Sequence, residues 1–288
     1  MAALRSDDCT IRPAFSGVST NSPATADRGR AVTQPQQWAG VGRTEKGHVR
    51  TSNQDALAVL NDCGVWIVAD GMSGHPAGDI AAQTAVTVAA QQALERATWF
   101  HEHPSAAAEF VADLVMSANR RIHHLILANP SLKGMGTTFV ALAMTPAPIP
   151  AAHVAHLGDS RAYLFREGQL KQLTRDHTLV ESFVQRGLID AVTALTHPER
   201  HILTKGLGLG IDMKPELTST PIIPLDLIML CSDGLTKMLE DSAIASVLSR
   251  ANGDPRRACH DLVDQALSRG GEDNVTVIVV ACTPPTIG

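Results

Sequence analysis

The chain has 288 residues, of which 44% are hydrophobic, and a formal net charge of −5. It is long enough to bury a sizeable core, and its dispersed Lys and Arg residues provide no basic field for nucleic acid. The longest apolar runs fall well short of the ~20 residues of a membrane span and residues 1–30 carry no signal-peptide apolar region, so the sequence reads as a cytoplasmic protein with no nucleic-acid or membrane partner.

Residues 1–36 are rich in Ser, Thr, Pro, Gln and Arg without periodicity, which predicts a disordered arm ahead of one domain over residues 37–283. Ala56-Leu57-Ala58-Val59-Leu60 and Val65-Trp66-Ile67-Val68-Ala69 flank the turn-forming Asn61-Asp62-Cys63-Gly64, a hairpin pattern that sets Asp55 opposite Asp70. Long helices are predicted over 79–100 and 105–128. In the second, Val111, Leu114, Val115, Ala118, Ile122, Leu125 and Ile126 follow the three-four spacing of a buried face. Strands are expected at 137–144, 152–157, 161–165 and 170–173, and helices at 178–187, 241–250 and 255–268, the last opening on an Asp254 cap and Pro255. Clustered strands with paired helices between them predict an α+β fold with antiparallel layers. The five cysteines are widely spaced without a CxxC pair and read as reduced, buried thiols. His101-Glu102-His103 and His123-His124 are rejected as metal sites, because the first lies at a Pro104 boundary and the second sits on a helix where neighbours point in different directions.

Asp70, Asp233 and Asp273 each stand where an apolar run meets polar chain. If 227–231 and 274–280 pair antiparallel, Asp233 and Asp273 fall at one sheet edge, and if that edge meets Asp55 and Asp70, four carboxylates share a small volume. At an effective dielectric near 20, each carboxylate pair ~4 Å apart repels by about 4 kcal/mol. A hard cation with oxygen ligands, Mn²⁺ or Mg²⁺, offsets that repulsion.

Six segments carry a family resemblance: Arg50-Thr51-Ser52-Asn53-Gln54-Asp55, Asp70-Gly71-Met72-Ser73-Gly74-His75-Pro76-Ala77-Gly78, Gly134-Met135-Gly136-Thr137-Thr138, Gly158-Asp159-Ser160-Arg161, Ser232-Asp233-Gly234-Leu235 and Gly271-Glu272-Asp273-Asn274-Val275-Thr276. In this order they resemble the metal-dependent Ser/Thr protein phosphatases (the PPM, or type 2C, family), in their compact bacterial form, over roughly residues 38–282. The resemblance implies a four-layer α/β/β/α sandwich, with a central antiparallel β-sandwich flanked by helix pairs and a metal site at one edge. It implies that Asp70 bridges two metals, that the Gly71 carbonyl binds the second, and that Asp233 and Asp273 complete the first. Asp159 with Asp233 matches a third-metal position, so the expected cofactors are two or three Mn²⁺ or Mg²⁺ ions. Asp55 would orient a metal-bound water, a metal-bridging hydroxide would attack phosphorus, and Arg50 would grip the phosphate. The implied partners are phosphorylated proteins, including a Ser/Thr kinase or its substrates.

Three departures from the family pattern stand out: Gln54 where eukaryotic members place Glu, Met72 where they place His, and Ser73 in place of Gly. His75, three positions on, is the candidate general acid, with a loop-stabilising or substrate-orienting role as the alternative. Arg50 could instead pair with Glu45 or Asp55, and Asp159 could shape a hairpin turn. Residues 176–204 correspond to the variable flap of the family. The Gly206-Leu207-Gly208-Leu209-Gly210 run is rejected as a nucleotide loop, since no Lys-Ser/Thr follows it. The rival functions are a non-catalytic phosphoprotein-binding module and a binuclear-metal hydrolase of small phosphate esters.

Overall fold

In the computed structural model, residues 37–72, 77–146 and 150–283 are described. The N-terminal arm expected at 1–36, and Ser73 and His75, lie outside them. In chain order the elements are β1 (Gln37–Glu45), β2 (Asp55–Leu60), β3 (Val65–Asp70), α1 (Gly78–Glu95), α2 (Ala97–Glu102), α3 (Ala107–Ala128), β4 (Phe139–Thr145), β5 (Ala151–Leu157), β6 (Arg161–Arg166), β7 (Gln169–Gln172), α4 (Leu179–Gln185) and α5 (Ala191–Thr196). These are followed by β8 (Glu216–Pro221), β9 (Leu227–Cys231), α6 (Asp233–Thr236), α7 (Asp241–Ala251), α8 (Pro255–Ser268) and β10 (Val275–Thr283).

The strands form two five-stranded sheets, ordered β1-β10-β9-β6-β7 and β2-β3-β4-β5-β8, and every pairing is antiparallel. Side chains alternate across each strand, and here both faces are covered. Trp66 and Val68 of β3 meet Ile228 and Leu230 of β9 and Ile278 and Val280 of β10 in a core between the sheets. Val65, Ile67 and Ala69 face the other way, onto α1 and α3. Met229, Cys231, Val277 and Val279 likewise face α7 and α8. Strands buried on both faces explain why β3, β9 and β10 read in the sequence as continuous apolar runs. The result is the expected four-layer α/β/β/α sandwich. Cys63, Cys231 and Cys259 are buried free thiols, as expected of those three.

Several boundaries differ from the sequence reading. The helix expected over 79–100 breaks at Arg96, whose φ of −105° and ψ of 7° end α1, and the bend lets Phe100 stack on Phe110 of α3 at 4.6 Å. Strand β4 starts at Phe139 instead of 137, because Thr137 and Thr138 turn their hydrogen bonds to Asp70: the Thr138 N–H and the Thr137 hydroxyl both donate to the Asp70 carbonyl. Strands β1 and β8 and helices α5 and α6 were not anticipated. Strand β8 alternates half-buried and exposed positions, with the Thr and Pro content of an edge strand. The Gly206–Gly210 segment docks on α3 through Asn119, which accepts from the Gly208 N–H and donates to the Gly210 carbonyl at 2.9 Å.

Candidate metal centre

The hairpin β2–β3 pairs Asp55 directly with Asp70, so adjacent strands deliver two carboxylates to one edge of their sheet. The same edge of the other sheet receives Asp233, just beyond β9, and Asp273, just before β10, since β9 and β10 run antiparallel. Asp159 arrives on the turn between β5 and β6. The electrostatics follow from this arrangement. Burial and then the charges of Asp55, Asp233, Asp159 and Asp273 push the Asp70 carboxyl well above the usual carboxylate range. Asp159 is pushed up to about 8, chiefly by burial and then by Asp233 and Asp176. Asp55 is pushed up to about 6 by burial, against the hydroxyl hydrogen bonds it accepts.

Backbone approach at the edge is tight. A Cβ on Gly71 would lie 2.3 Å from the Gly78 carbonyl oxygen and 2.7 Å from that of Gln54, and one on Gly234 would lie 2.0 Å from that of Asn274. Only glycine fits at either position, whatever is bound. Asn274 staples the segment before β2 to β10: its amide donates to the Lys46 and Ser52 carbonyls at 2.8 and 2.9 Å, and its oxygen accepts from the Gln54 N–H at 2.9 Å.

All the site residues expected from the sequence, except His75, lie in described segments, and the five aspartates converge. Arg50 pairs with neither Glu45 nor Asp55. Its Nε lies 2.8 Å from Asp273 Oδ1 and its Nη2 donates to Oδ2 at 2.9 Å. Sequence reasoning missed Lys237, whose Nζ lies 2.6 Å from Asp233 Oδ2 and 2.8 Å from Asp273 Oδ2. The signal was the four-residue spacing from Asp233, which aligns side chains on a helix. It also missed the Ser232 and Thr276 hydroxyls, which donate to Asp55 Oδ2 at 2.8 and 2.6 Å. Desolvation would raise the Asp273 carboxyl, but the Lys237 and Arg50 cations hold it below the usual range.

The residues fit a divalent cation. Asp55 Oδ1 and Asp233 Oδ1 are buried with no hydrogen-bond partner, which costs free energy unless something satisfies them, and every donor is an oxygen, as hard cations require. A second group, His156, His177 and Glu216, has ligand atoms within 4.8 Å of one another but fits a cation less well. His177 Nδ1 accepts from the Gly158 N–H at 3.2 Å, and the Lys205 ammonium stands 3.4 Å from Nε2. The His156 and His177 rings stack at 4.6 Å, and the group closes the base of the 176–204 segment together with backbone bonds from Leu179 to Ile202 and Thr204 to His177, both 2.8 Å.

Comparison with known proteins gives the family. The sequence profile of the protein phosphatase 2C family matches residues 44–267. The serine/threonine phosphatase Stp of Listeria welshimeri is 34% identical over 250 residues, covering 83% of this chain and 93% of that protein. The crystal structure of the Mycobacterium tuberculosis serine/threonine phosphatase PstP/Ppp superposes with a TM-score of 0.76 at 31% identity, over 85% of this chain and 98% of that one. A structure of the PstP catalytic domain in complex with two manganese ions superposes with a TM-score of 0.73 at 31% identity, over 86% and 99% of the two chains. The chain belongs to the protein phosphatase 2C family.

Proposed function

We propose that this protein hydrolyses phosphoserine and phosphothreonine in proteins, with Mn²⁺ or Mg²⁺ held by Asp70, the Gly71 carbonyl, Asp233 and Asp273, and a further ion by Asp159 with Asp233. The observation that carries the reading is the convergence of five aspartates with the buried, unpartnered oxygens of Asp55 and Asp233. Divalent cations bound there supply charge neutralisation for the phosphoryl oxygens and lower the pKa of the attacking water.

The chain's own residues set the geometry. Asp55, fixed by the Ser232 and Thr276 hydroxyls, orients the attacking water toward phosphorus. As the water oxygen bonds to phosphorus, the bond to the serine or threonine oxygen breaks. Arg50, half-exposed beside Asp273, presents its fork of donors to the phosphate. His75 donates a proton to the departing oxygen. A groove of about 360 Å³ lined by Asn53, Asp55, Asp79, Ile80, Gln83 and Thr84 opens beside the site, and gives the phosphorylated segment an approach along α1.

The substrates are phosphoproteins, and a Ser/Thr kinase or its targets are the natural partners of such an activity in the cytoplasm. Among the described residues, no helix is long and apolar enough to cross a membrane. The test is turnover by the metal-stripped full chain on phosphopeptides and on nucleotides, with and without Mn²⁺. Release of phosphate from the peptides only when Mn²⁺ is present is the expected result. Nucleotide hydrolysis with inert peptides would move the function to small phosphate esters, and undiminished peptide turnover without metal would end the proposal.

A further inference from the structure

We infer that Lys237 is a built-in competitor for the divalent cation: its ammonium bridges the Oδ2 atoms of Asp233 and Asp273 and must leave before a metal can bind those two oxygens. The inference rests on the reading that those two aspartates bind metal. Lys237 is the residue that follows α6, one helical turn after Asp233, so its side chain returns over the carboxylate that opens the helix. The contacts at 2.6 and 2.8 Å fall on the Oδ2 atoms of both aspartates. These are charge-assisted hydrogen bonds at full strength, made where the side chain is only 28% exposed.

Asp233 Oδ1 stays open to a cation, but both oxygens of Asp273 are engaged, Oδ1 by Arg50 and Oδ2 by Arg50 and Lys237, and an ammonium and a divalent ion cannot occupy one place beside Oδ2. A metal ligand oxygen sits about 2.0–2.1 Å from Mg²⁺, and an ion drawing on the two Oδ2 atoms would occupy the volume where Nζ stands. Arg50 cannot substitute for Lys237, because it meets Asp273 alone through Oδ1 and Oδ2 and does not reach Asp233. Lys237 therefore has two effects of opposite sign. Without metal it offsets the repulsion between Asp233 and Asp273 and supports that edge of the sandwich. When metal arrives it opposes binding, because its ion pair with Asp273 Oδ2 must break. The device weakens metal affinity and keeps the metal-free chain folded.

The experiment measures Mn²⁺ binding by calorimetry on the metal-stripped full chain. It compares wild type with Lys237→Met, Lys237→Gln and Lys237→Arg at low salt and at 1 M salt, where the screening length falls to about 3 Å. Removing the ammonium should tighten the first Mn²⁺ by about tenfold or more, a change of roughly 1.4 kcal/mol, at both salt concentrations. It should also lower the melting temperature of the metal-free chain but not that of the Mn²⁺-saturated chain. Lys237→Arg should stay close to wild type. Unchanged or weaker Mn²⁺ binding in Lys237→Met and Lys237→Gln overturns the inference, as does a gain that disappears at 1 M salt, which would mark a long-range charge effect only. Asp233→Asn separates the two levels. If it binds Mn²⁺ as wild type does, the metal assignment itself fails. If it loses Mn²⁺ while Lys237→Met matches wild type, only the competition fails.

Discussion

Ser232 Oγ donates to Asp55 Oδ2 at 2.8 Å, joining the end of β9 in one sheet to the start of β2 in the other. Thr276 of β10 reaches the same oxygen at 2.6 Å, so the orientation of one carboxylate depends on both sheets holding their spacing. Its other oxygen is left turned into the site, buried and without a partner.

Hydrogen bonds to a charged group contribute about 1.5–3 kcal/mol each. Thr276→Val and Ser232→Ala should therefore each lower kcat by roughly tenfold or more with little change in KM. Both hydroxyls favour the charged form of Asp55, so their loss should also move the acidic limb of the pH–rate profile upward. A profile that keeps its acidic limb in both variants would show that Asp55 does not titrate in catalysis.

Asp70→Asn and Asp233→Asn should abolish turnover and Mn²⁺ binding, and the metal-free Asp70→Asn chain should melt at the wild-type temperature or higher. The reason is that Asp70 is charged only against burial and then the repulsion of its neighbours, and a neutral amide relieves both. Calorimetry with Mn²⁺ and a thermal melt of each variant check both halves. A variant that melts much lower than wild type, with normal activity per folded molecule, would make these aspartates structural.

The metal-free chain should lose stability as pH rises. Asp55 and Asp159 titrate near 6 and 8 in the folded chain against an ordinary value of 3.8. Between those limits the folded state binds more protons than the unfolded state, so the stability from these groups is complete below 3.8 and is lost as pH rises through the folded values. His177 has the opposite sign. Desolvation, then His156 and Lys205, pushes it down to about 4 from 6.5, so its contribution is lost as pH falls through that window. Above pH 6.5 Asp159 acts in the same direction as Asp70, whose carboxyl is also raised by burial and neighbouring charges. Melting temperatures of the metal-stripped chain should fall from pH 6.5 to pH 8, and Asp159→Asn should flatten that slope. A wild-type slope of zero or the reverse sign contradicts the burial of Asp159.

Arg50→Ala should raise KM and weaken inhibition by free phosphate by roughly tenfold each, with a smaller change in kcat, since the guanidinium holds the ground-state dianion as well as the transition state. Steady-state kinetics with a phosphopeptide check this, and a pure kcat effect would confine Arg50 to bracing Asp273.

His75→Ala should lower kcat severely on phosphoserine peptides and mildly on an aryl phosphate, whose leaving group needs little protonation. Equal losses on both substrates would remove His75 from the acid role.

The sequence by itself determined the convergence of Asp55 and Asp70, because a four-residue turn between two apolar runs leaves one hairpin register and period-two alternation fixes which residues face each other. It also pointed to antiparallel α+β layers, because its strands cluster and its helices come in pairs between them, while the four-layer sandwich was implied by the family resemblance. Only the tertiary structure decided the partners of these groups. Arg50 lies beside Glu45 and Asp55 in the chain yet pairs with Asp273, 223 residues away. Asp55 takes its hydroxyl partners from Ser232 and Thr276, 177 and 221 residues away. Edge strands β1 and β8 escaped notice for the same reason: β1 is completed by the long ladder to β10 and β8 by β5. Local pattern sets the periodicity of each element, but long-range pairs are fixed by the packing of the two sheets, which no window of sequence contains.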